Sequence, residues 1–459
     1  MIESLFRRLI VPGFETLLKR RKTFTYWREL EESQWHDRET LEQNQLERLK
    51  RLLHYCNNHS PWYRDQWAQH GIDVDSLSSL GDLQNFPIIT REMIRDHATE
   101  IRCPHPSVRS VSKSTGGSTG TPLRFTIEAE ANDRRVAATF RGYTWGGASP
   151  GTKQSYLWGV PLQPLSFRQR LKEHAYSRAL YRRDMMNSFN LSQSTIETYI
   201  RRINRYRPTV IIAYTTPLFL LAKSIQTLGA NVHQPQSIIV GAEKLHDFQR
   251  EQIERSFGAP VFETYGSREF TLIGAECDQH TGLHLTSENL IVEVLDHDGK
   301  PTRDGEEGKI VITDLFNTAT PFVRYATGDR GIAGFEQCPC GRGLPLLRKV
   351  LGRQLDVLDL PNGRRVPGEY FPHLLKDVDS IRQFQVAQLG PNTVRLKLVV
   401  ADDWNREAEN ALRDQVLDAV GRSCELKIEQ VEQIELTPSG KTRVVIGYNP
   451  PNECQRIAG

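Results

Sequence analysis

Apolar residues follow three different patterns along this 459-residue chain. From the start to about residue 70 they recur at helical spacing. Residues 26–55 carry them among many Glu, Arg and Gln, which predicts helices with one buried stripe. Between 111 and 350 the pattern changes to short runs rich in β-branched residues. Val210–Tyr214, 237–240 and 260–262 read as strands, and 218–228 and 245–257 between them read as helices. Such alternation predicts a layered α/β domain with a largely parallel sheet, because parallel strands need a crossover helix. Leu290–Leu295 and 308–313 flank Asp296-His297-Asp298-Gly299 and read as an antiparallel hairpin, so the sheets are mixed. After Gly352 the pattern shifts again. Residues 384–386, 394–398 and 425–428 alternate, with a helical stretch at 404–420, which predicts a small α+β domain of about a hundred residues. The expected organisation is a helical region at 1–100 packed on the large domain, a core at 101–351 and a C-terminal lid domain at 352–459. The boundary is expected at Gly352 to Asp356.

Composition narrows the class. Hydrophobic residues make up 38% and charged residues 25%, which fits a folded globular chain and excludes a disordered one. A net charge of +3 gives no electrostatic reason for a nucleic-acid partner. The longest apolar stretch, 210–222, is broken by Tyr214, Thr215, Thr216 and Pro217 and is too short for a bilayer span. The start lacks the apolar core and small-residue cleavage site of a secretory signal. Seven cysteines, an odd number with Cys338-Pro339-Cys340 among them, point to a reducing, cytoplasmic setting. The first turns set Leu5, Leu9, Ile10, Phe14, Leu17 and Leu18 beside Arg7, Arg8, Lys19, Arg20, Arg21 and Lys22. That is either a peripheral membrane contact or a helix packed on the core with a solvated basic face. Pro12-Gly13 interrupts the stretch, which favours the packed helix.

The stretch Ser114-Thr115-Gly116-Gly117-Ser118-Thr119-Gly120-Thr121-Pro122 holds nothing but Gly, Ser, Thr and Pro. Its backbone N–H groups and hydroxyls suit a polyphosphate, and the same composition suits a flexible linker. It is not a Walker loop, since no lysine follows its glycines. The later Gly440-Lys441-Thr442 has Glu435 where the first glycine of that motif belongs.

Further stretches follow in a fixed order: Gly241-Ala242-Glu243, Glu263-Thr264-Tyr265-Gly266-Ser267-Arg268-Glu269, Arg324-Tyr325-Ala326-Thr327-Gly328-Asp329, Gly352-Arg353-Gln354-Leu355-Asp356 and Pro438-Ser439-Gly440-Lys441-Thr442-Arg443. Together with the loop they resemble the motifs of the adenylate-forming enzymes, a superfamily that includes acyl-CoA synthetases, luciferases and peptide-synthetase adenylation domains. Phe86-Pro87-Ile88-Ile89-Thr90-Arg91 and Ser60-Pro61-Trp62-Tyr63-Arg64 are similar to the phenylacetate–CoA ligase branch, especially its relatives in capsular and exopolysaccharide gene sets.

The resemblance implies ATP-dependent activation of a small carboxylic acid as an acyl-adenylate, then acyl transfer to CoA. An amine or sugar acceptor is the enzymatic alternative, and a degenerate nucleotide-binding protein the non-catalytic one. It implies that Thr115, Gly116, Gly117, Ser118, Thr119 and Gly120 hold the phosphates of ATP, and that Tyr265, Gly266 and Ser267 face Gly241, Ala242 and Glu243 across the adenine. Glu269 would bind Mg²⁺, Asp329 the ribose hydroxyls, and Arg353 the ribose or phosphate. Lys441 would bridge the α-phosphate and the substrate carboxylate. Leu123, with Arg124 next, stands where the family often has Lys. Arg268 replaces a hydroxyl, and Leu355 stands at the family hinge. Tyr156, Trp158, Tyr214 and Phe219 are candidates for the acyl pocket. Cys277, His284, Cys338 and Cys340 make an acceptable tetrahedral set for a structural Zn²⁺, with His284 fitting better than His280. The alternative is a group of reduced, partly buried thiols.

Overall fold

The computed structural model describes residues 2–103, 108–114, 123–159, 175–188, 193–334, 336–353, 357–360, 365–367, 370–375, 378, 380–435 and 443–448. The chain divides into two compact units, Met1–Leu351 and Gly352–Gly459.

The first unit opens with a continuous helix at 2–18 (α1), whose turns at Phe6–Ile10 and Phe14–Leu18 are wide π turns. Pro12-Gly13 does not break it, contrary to the expectation from sequence. A wide turn shifts the hydrogen-bond register, and a residue without an N–H is tolerated where that register changes. The helical pattern of 26–55 is two helices, α2 (Thr23–Ser33) and α3 (Arg38–His59). Asp37 ends the continuity by accepting from the Thr40 N–H at 2.8 Å, so it caps a new start. Helix α4 (Pro61–Gln69) follows.

A hairpin comes next: β1 (Ser110–Ser114) and β2 (Arg124–Glu128) are antiparallel, with Ser114 opposite Arg124. Helix α5 (Ala129–Trp145) leads into strands β3 (Gln154–Trp158) and β4 (Arg183–Asn187), helix α6 (Gln193–Tyr206) and strand β5 (Val210–Tyr214). Then come α7 (Thr215–Leu228), β6 (Ser237–Gly241), α8 (Asp247–Phe257) and β7 (Val261–Tyr265). Strands β8 (Gly274–Glu276), β9 (Leu283–Leu285), β10 (Leu290–Leu295), β11 (Glu307–Asp314), β12 (Tyr325–Gly334) and β13 (Leu346–Arg353) extend the sheet.

The large sheet runs β10-β11-β12-β13-β9-β8-β7-β6-β5-β3-β4. Strands β4, β3, β5, β6 and β7 are parallel. From β7 onward the pairings β7–β8, β8–β9, β9–β13, β12–β11 and β11–β10 are antiparallel. Both faces of the parallel part are covered, as unbroken apolar strands require. Ile211, Ala213, Ile238 and Val240 pack under α7 and α8 on one face; Val210, Ile212, Ile239 and Phe262 pack with Tyr143 and Ala148 on the other.

The N-terminal helices are tied to this unit by buried polar contacts. Arg141 on α5 forms a bidentate pair with Glu288, which also accepts from the Ser33 hydroxyl of α2 at 2.7 Å. Gln45 on α3 donates to the Ser287 and Leu290 carbonyls, both at 2.9 Å.

The second unit holds a sheet of β16 (Ile381–Gly390), β17 (Thr393–Val400), β18 (Glu425–Gln430) and β19 (Val445–Ile446), preceded by the short pair β14 (Val357–Asp359) and β15 (Arg365–Pro367). Helix α9 (Arg406–Val420) contributes Leu412, Val416 and Val420 to a core with Val386, Leu396 and Leu398. The expected α/β class with a small α+β C-terminal domain therefore holds. Among the described residues no helix is long and apolar enough to cross a membrane.

Candidate functional site

The carboxyl ends of adjacent parallel strands form an edge with unpaired backbone groups, and ligands of open α/β sheets bind there. In the first unit this edge collects Trp158 from β3, Tyr214 from β5, Gly241 from β6 and Tyr265 from β7. The turns that leave these strands have demanding backbones. At Gly241 an added Cβ would meet the Thr264 hydroxyl at 2.5 Å, and at Gly266 it would meet the Thr271 carbonyl at 2.0 Å. Ala242 takes a left-handed φ of 68°, which is rare for a side-chain-bearing residue and marks a strained turn.

Tyr265 is buried, and its hydroxyl donates to the Asp329 carboxylate at 2.8 Å. Asp329 lies on β12, a strand from the antiparallel part of the sheet. Thr327 holds it through a hydroxyl that accepts from the Asp329 N–H at 3.1 Å. The upstream Phe86–Arg91 stretch fixes the start of β12. The Ile89 N–H donates to the Arg324 carbonyl, and the Ala326 N–H to the Ile89 carbonyl, each at 2.9 Å. Arg324 is buried and grips Glu293 with two N–H groups at 3.0 and 2.9 Å. It serves as a staple behind the site.

Ser267, Arg268 and Glu269 sit in a tight turn closed by the Thr271 N–H on the Ser267 carbonyl at 2.7 Å. Glu269 is buried, and no described residue donates to its carboxylate. Arg268 reaches across to the hairpin and donates to the Ser114 carbonyl at 2.9 Å. The base of the Gly/Ser/Thr loop is thus pinned beside the end of β7. Glu243 follows Ala242 at the same edge. Its carboxylate accepts from the Thr216 N–H at 2.7 Å, capping α7, and its carbonyl accepts from the Thr215 hydroxyl at 3.1 Å.

Residues 115–120 and Lys441 lie outside the described residues, as do Leu355 and Asp356. Arg353 closes β13. Of the acyl-pocket candidates, Trp158 and Tyr214 meet with ring centroids 4.3 Å apart. Tyr156 lies deeper on the same face, its hydroxyl 3.1 Å from Gln154, and Phe219 packs on the opposite face against Phe248.

Two cations escaped the sequence reading. Lys113, immediately before Ser114, donates to Asn132 on α5 at 3.2 Å. Arg135 lies one turn further along that helix, 4% exposed. It pairs with Asp314 through one nitrogen, while its Nε and Nη1 are buried with no hydrogen-bond partner. Burial first, and then the Arg135 and Arg268 charges, bring the Lys113 ammonium down to about 8. Lys113 thus sets an ammonium immediately before the Gly/Ser/Thr stretch, a signal that was readable in Lys113-Ser114.

Cys277, His284, Cys338 and Cys340 place their ligand atoms within 4.8 Å of one another. His284 Nε2 lies 3.4 Å from both Cys277 and Cys340, and the Cys277 and Cys338 sulfurs are 3.7 Å apart. Burial pushes the Cys277 thiol up to about 12 and holds His284 down to about 4, so this imidazole is neutral at pH 7. Burial opposes ionisation of Cys338 too, yet hydrogen bonds that include the Thr281 hydroxyl at 3.2 Å keep it below its usual range. Sulfurs and a neutral imidazole on this spacing fit a tetrahedral Zn²⁺ set. His280 turns away, against Glu276 at 3.1 Å. The loop bearing Cys338 and Cys340 also packs on the end of α2. Arg342 donates to Gln34 at 2.9 Å, and Gly343 lies against the His36 carbonyl, where a Cβ would be 1.9 Å away.

This architecture is shared with solved acyl-CoA ligases. The structure of 2-hydroxyisobutyryl-CoA ligase in a postadenylation state with 2-HIB-AMP superposes with a TM-score of 0.70, at 19% identity and 92% coverage of each chain. In sequence the chain is similar to the phenylacetate–coenzyme A ligase of Thermus thermophilus, 28% identical over 92% of this chain and 95% of the relative. It is also similar to protein CapK of Staphylococcus aureus, 22% identical over 96% and 97%. Residues 358–448 match the CapK C-terminal domain family. The resemblance read from the ordered motifs thus extends along nearly the whole chain.

Proposed function

We propose that the chain is an AMP-forming carboxylate–CoA ligase. One carboxylate oxygen of the substrate attacks the α-phosphate of ATP, the bond to the β-phosphate breaks, and pyrophosphate leaves. The CoA thiol then attacks the acyl carbon, releasing AMP and one proton. The observation that carries this reading is the convergence, at one sheet edge, of the Tyr265–Asp329 pair, the Gly241 turn and the Arg268-anchored foot of the Gly/Ser/Thr loop. The phenylacetate–coenzyme A ligases similar to this chain support the reaction class.

Asp329 accepts from the ribose hydroxyls, a role its fixed position on β12 suits. Residues 115–120 cradle the β- and γ-phosphates, and Arg135 with Lys113 supplies unpaired N–H groups and charge on the hairpin side. Glu269 offers a hard carboxylate oxygen to which no described residue donates, which fits Mg²⁺; bound there, the ion would neutralise phosphate charge. Zn²⁺ on the Cys/His set would have a structural role. Trp158 and Tyr214 line the acyl side. Lys441 is assigned to the α-phosphate and the substrate carboxylate, and Arg353 to the ribose or phosphate, each by its place in the ordered motifs. An amine or sugar acceptor is the second reading.

A carboxylic-acid library assayed by pyrophosphate release tests the first step. Running the hits with CoA, amines and amino sugars tests the second. Release with no acid would overturn the proposal, and release that CoA does not turn into a thioester would favour the second acceptor class. Asp329→Ala removes a charged acceptor facing two hydroxyls and is expected to raise the KM for ATP roughly ten- to a hundredfold, with kcat changed less. An unchanged KM would remove Asp329 from the ribose site.

A further inference from the structure

Five of the thirteen exposed large apolar side chains among the described residues fall on one short element, α1. Ile2, Leu5 and Leu9 are 65%, 47% and 65% exposed, and Leu17 and Leu18 exceed 70%. The helix is nevertheless fastened to the large unit by its other side. Glu3 accepts from the Thr152 hydroxyl at 2.9 Å, Glu15 is buried and takes hydrogen bonds from Tyr181 and Arg21, and Val11 is fully buried. An anchored helix that presents leucines outward differs from the solvated basic face that the sequence favoured. Apolar side chains gathered in this way need a cover.

The surroundings say which cover. Arg7 and Arg8 are exposed beside the apolar ridge. The Arg182 guanidinium lies 5.3 Å from the Phe6 ring. Lys153 and Arg178 share the Tyr206 ring at 4.8 and 5.2 Å, and the Tyr206 hydroxyl donates to the Arg182 carbonyl at 2.7 Å. The helix's two acids are both engaged inward. A second copy of the chain on this face would set cations against cations, whereas a layer of phosphate headgroups over hydrocarbon matches both features.

Lys153 and Arg182 immediately precede β3 and β4. They mark the amino edge of the parallel strands, opposite the edge that carries Trp158, Tyr214, Gly241 and Tyr265. We propose that this edge docks the chain on an anionic lipid surface, with Ile2, Leu5 and Leu9 inserted among the headgroups and Arg7, Arg8 and the Lys153–Arg182 cluster on the phosphates. The catalytic edge then faces away from the bilayer.

Flotation of the full chain with vesicles tests this independently of catalysis. Vesicles of phosphatidylcholine with about one quarter phosphatidylglycerol are expected to carry at least about ten times more protein than phosphatidylcholine alone, with the difference lost near ~0.5 M salt. A Leu5→Ser, Leu9→Ser double variant is expected to lose flotation while keeping its melting temperature, and Arg7→Ser with Arg8→Ser is expected to weaken it several-fold. No flotation with anionic vesicles, equal flotation with neutral ones, or full retention by the leucine variant would each overturn the proposal. So would a dimer in sedimentation that the leucine variant dissociates.

Discussion

Lys441→Ala is expected to lower carboxylate-dependent pyrophosphate release by roughly a thousandfold. The adenylation step forces a carboxylate against a phosphate, and the barrier is the repulsion of two anions. A single ammonium about 4 Å from the developing charge, at the effective dielectric of a partly wet site, contributes on the order of 4 kcal/mol, a factor of about a thousand in rate. Lys441 occupies a polar Gly-Lys-Thr stretch shortly before β19. Its removal deletes a charge from a polar stretch, so the melting temperature is expected to stay where it is. Thioester formation from a preformed acyl-adenylate should fall far less, since that half-reaction no longer joins two anions. Unchanged pyrophosphate release would remove Lys441 from the chemistry.

Loss of the metal should give the largest change in stability. Protein purified without chelator is expected to hold about one zinc per chain. Without a cation, burial holds the Cys277 thiol up at about 12, so chelation is expected to leave a polar pocket with nothing to hold its walls together. Those walls are β8, β9 and the 337–343 loop, and that loop in turn grips the end of α2 through Arg342. Chelation, Cys277→Ser or His284→Ala is expected to lower the melting temperature of the first unit by roughly 5 °C or more. His280→Ala should keep its zinc, because His280 bonds to Glu276 outside the cluster. Metal analysis and thermal melts together decide it: absence of zinc, or melting indifferent to chelator, would contradict the assignment.

Much of the parallel core could be read directly. Strands β5, β6 and β7 are brief β-branched runs closed by turn residues, and burial on both faces leaves them no polar alternation to confuse the pattern. Features set by distant partners could not be read that way. What packs on the break between α2 and α3 is Arg342 against Gln34 and Gly343 against His36, partners some three hundred positions later. Arg135 looks like one more helix-surface charge in a run that also holds Arg134 and Arg141, yet it is buried under the hairpin with Asp314. Glu243 is legible as part of the Gly241-Ala242-Glu243 motif, but that its carboxylate caps the first turn of α7 follows only from their closeness in space. Phe219 follows Tyr214 by five residues, yet the chain turns between them from strand to helix and crosses to the other face of the sheet.

The central claim is that the substrate carboxylate itself attacks the α-phosphate. Turnover of an active acid whose carboxylate oxygens carry a heavy isotope reads this most directly. The account predicts one heavy oxygen in the phosphate of AMP for each thioester formed. Heavy oxygen in inorganic phosphate with ADP as the nucleotide product, or none in AMP, would contradict it.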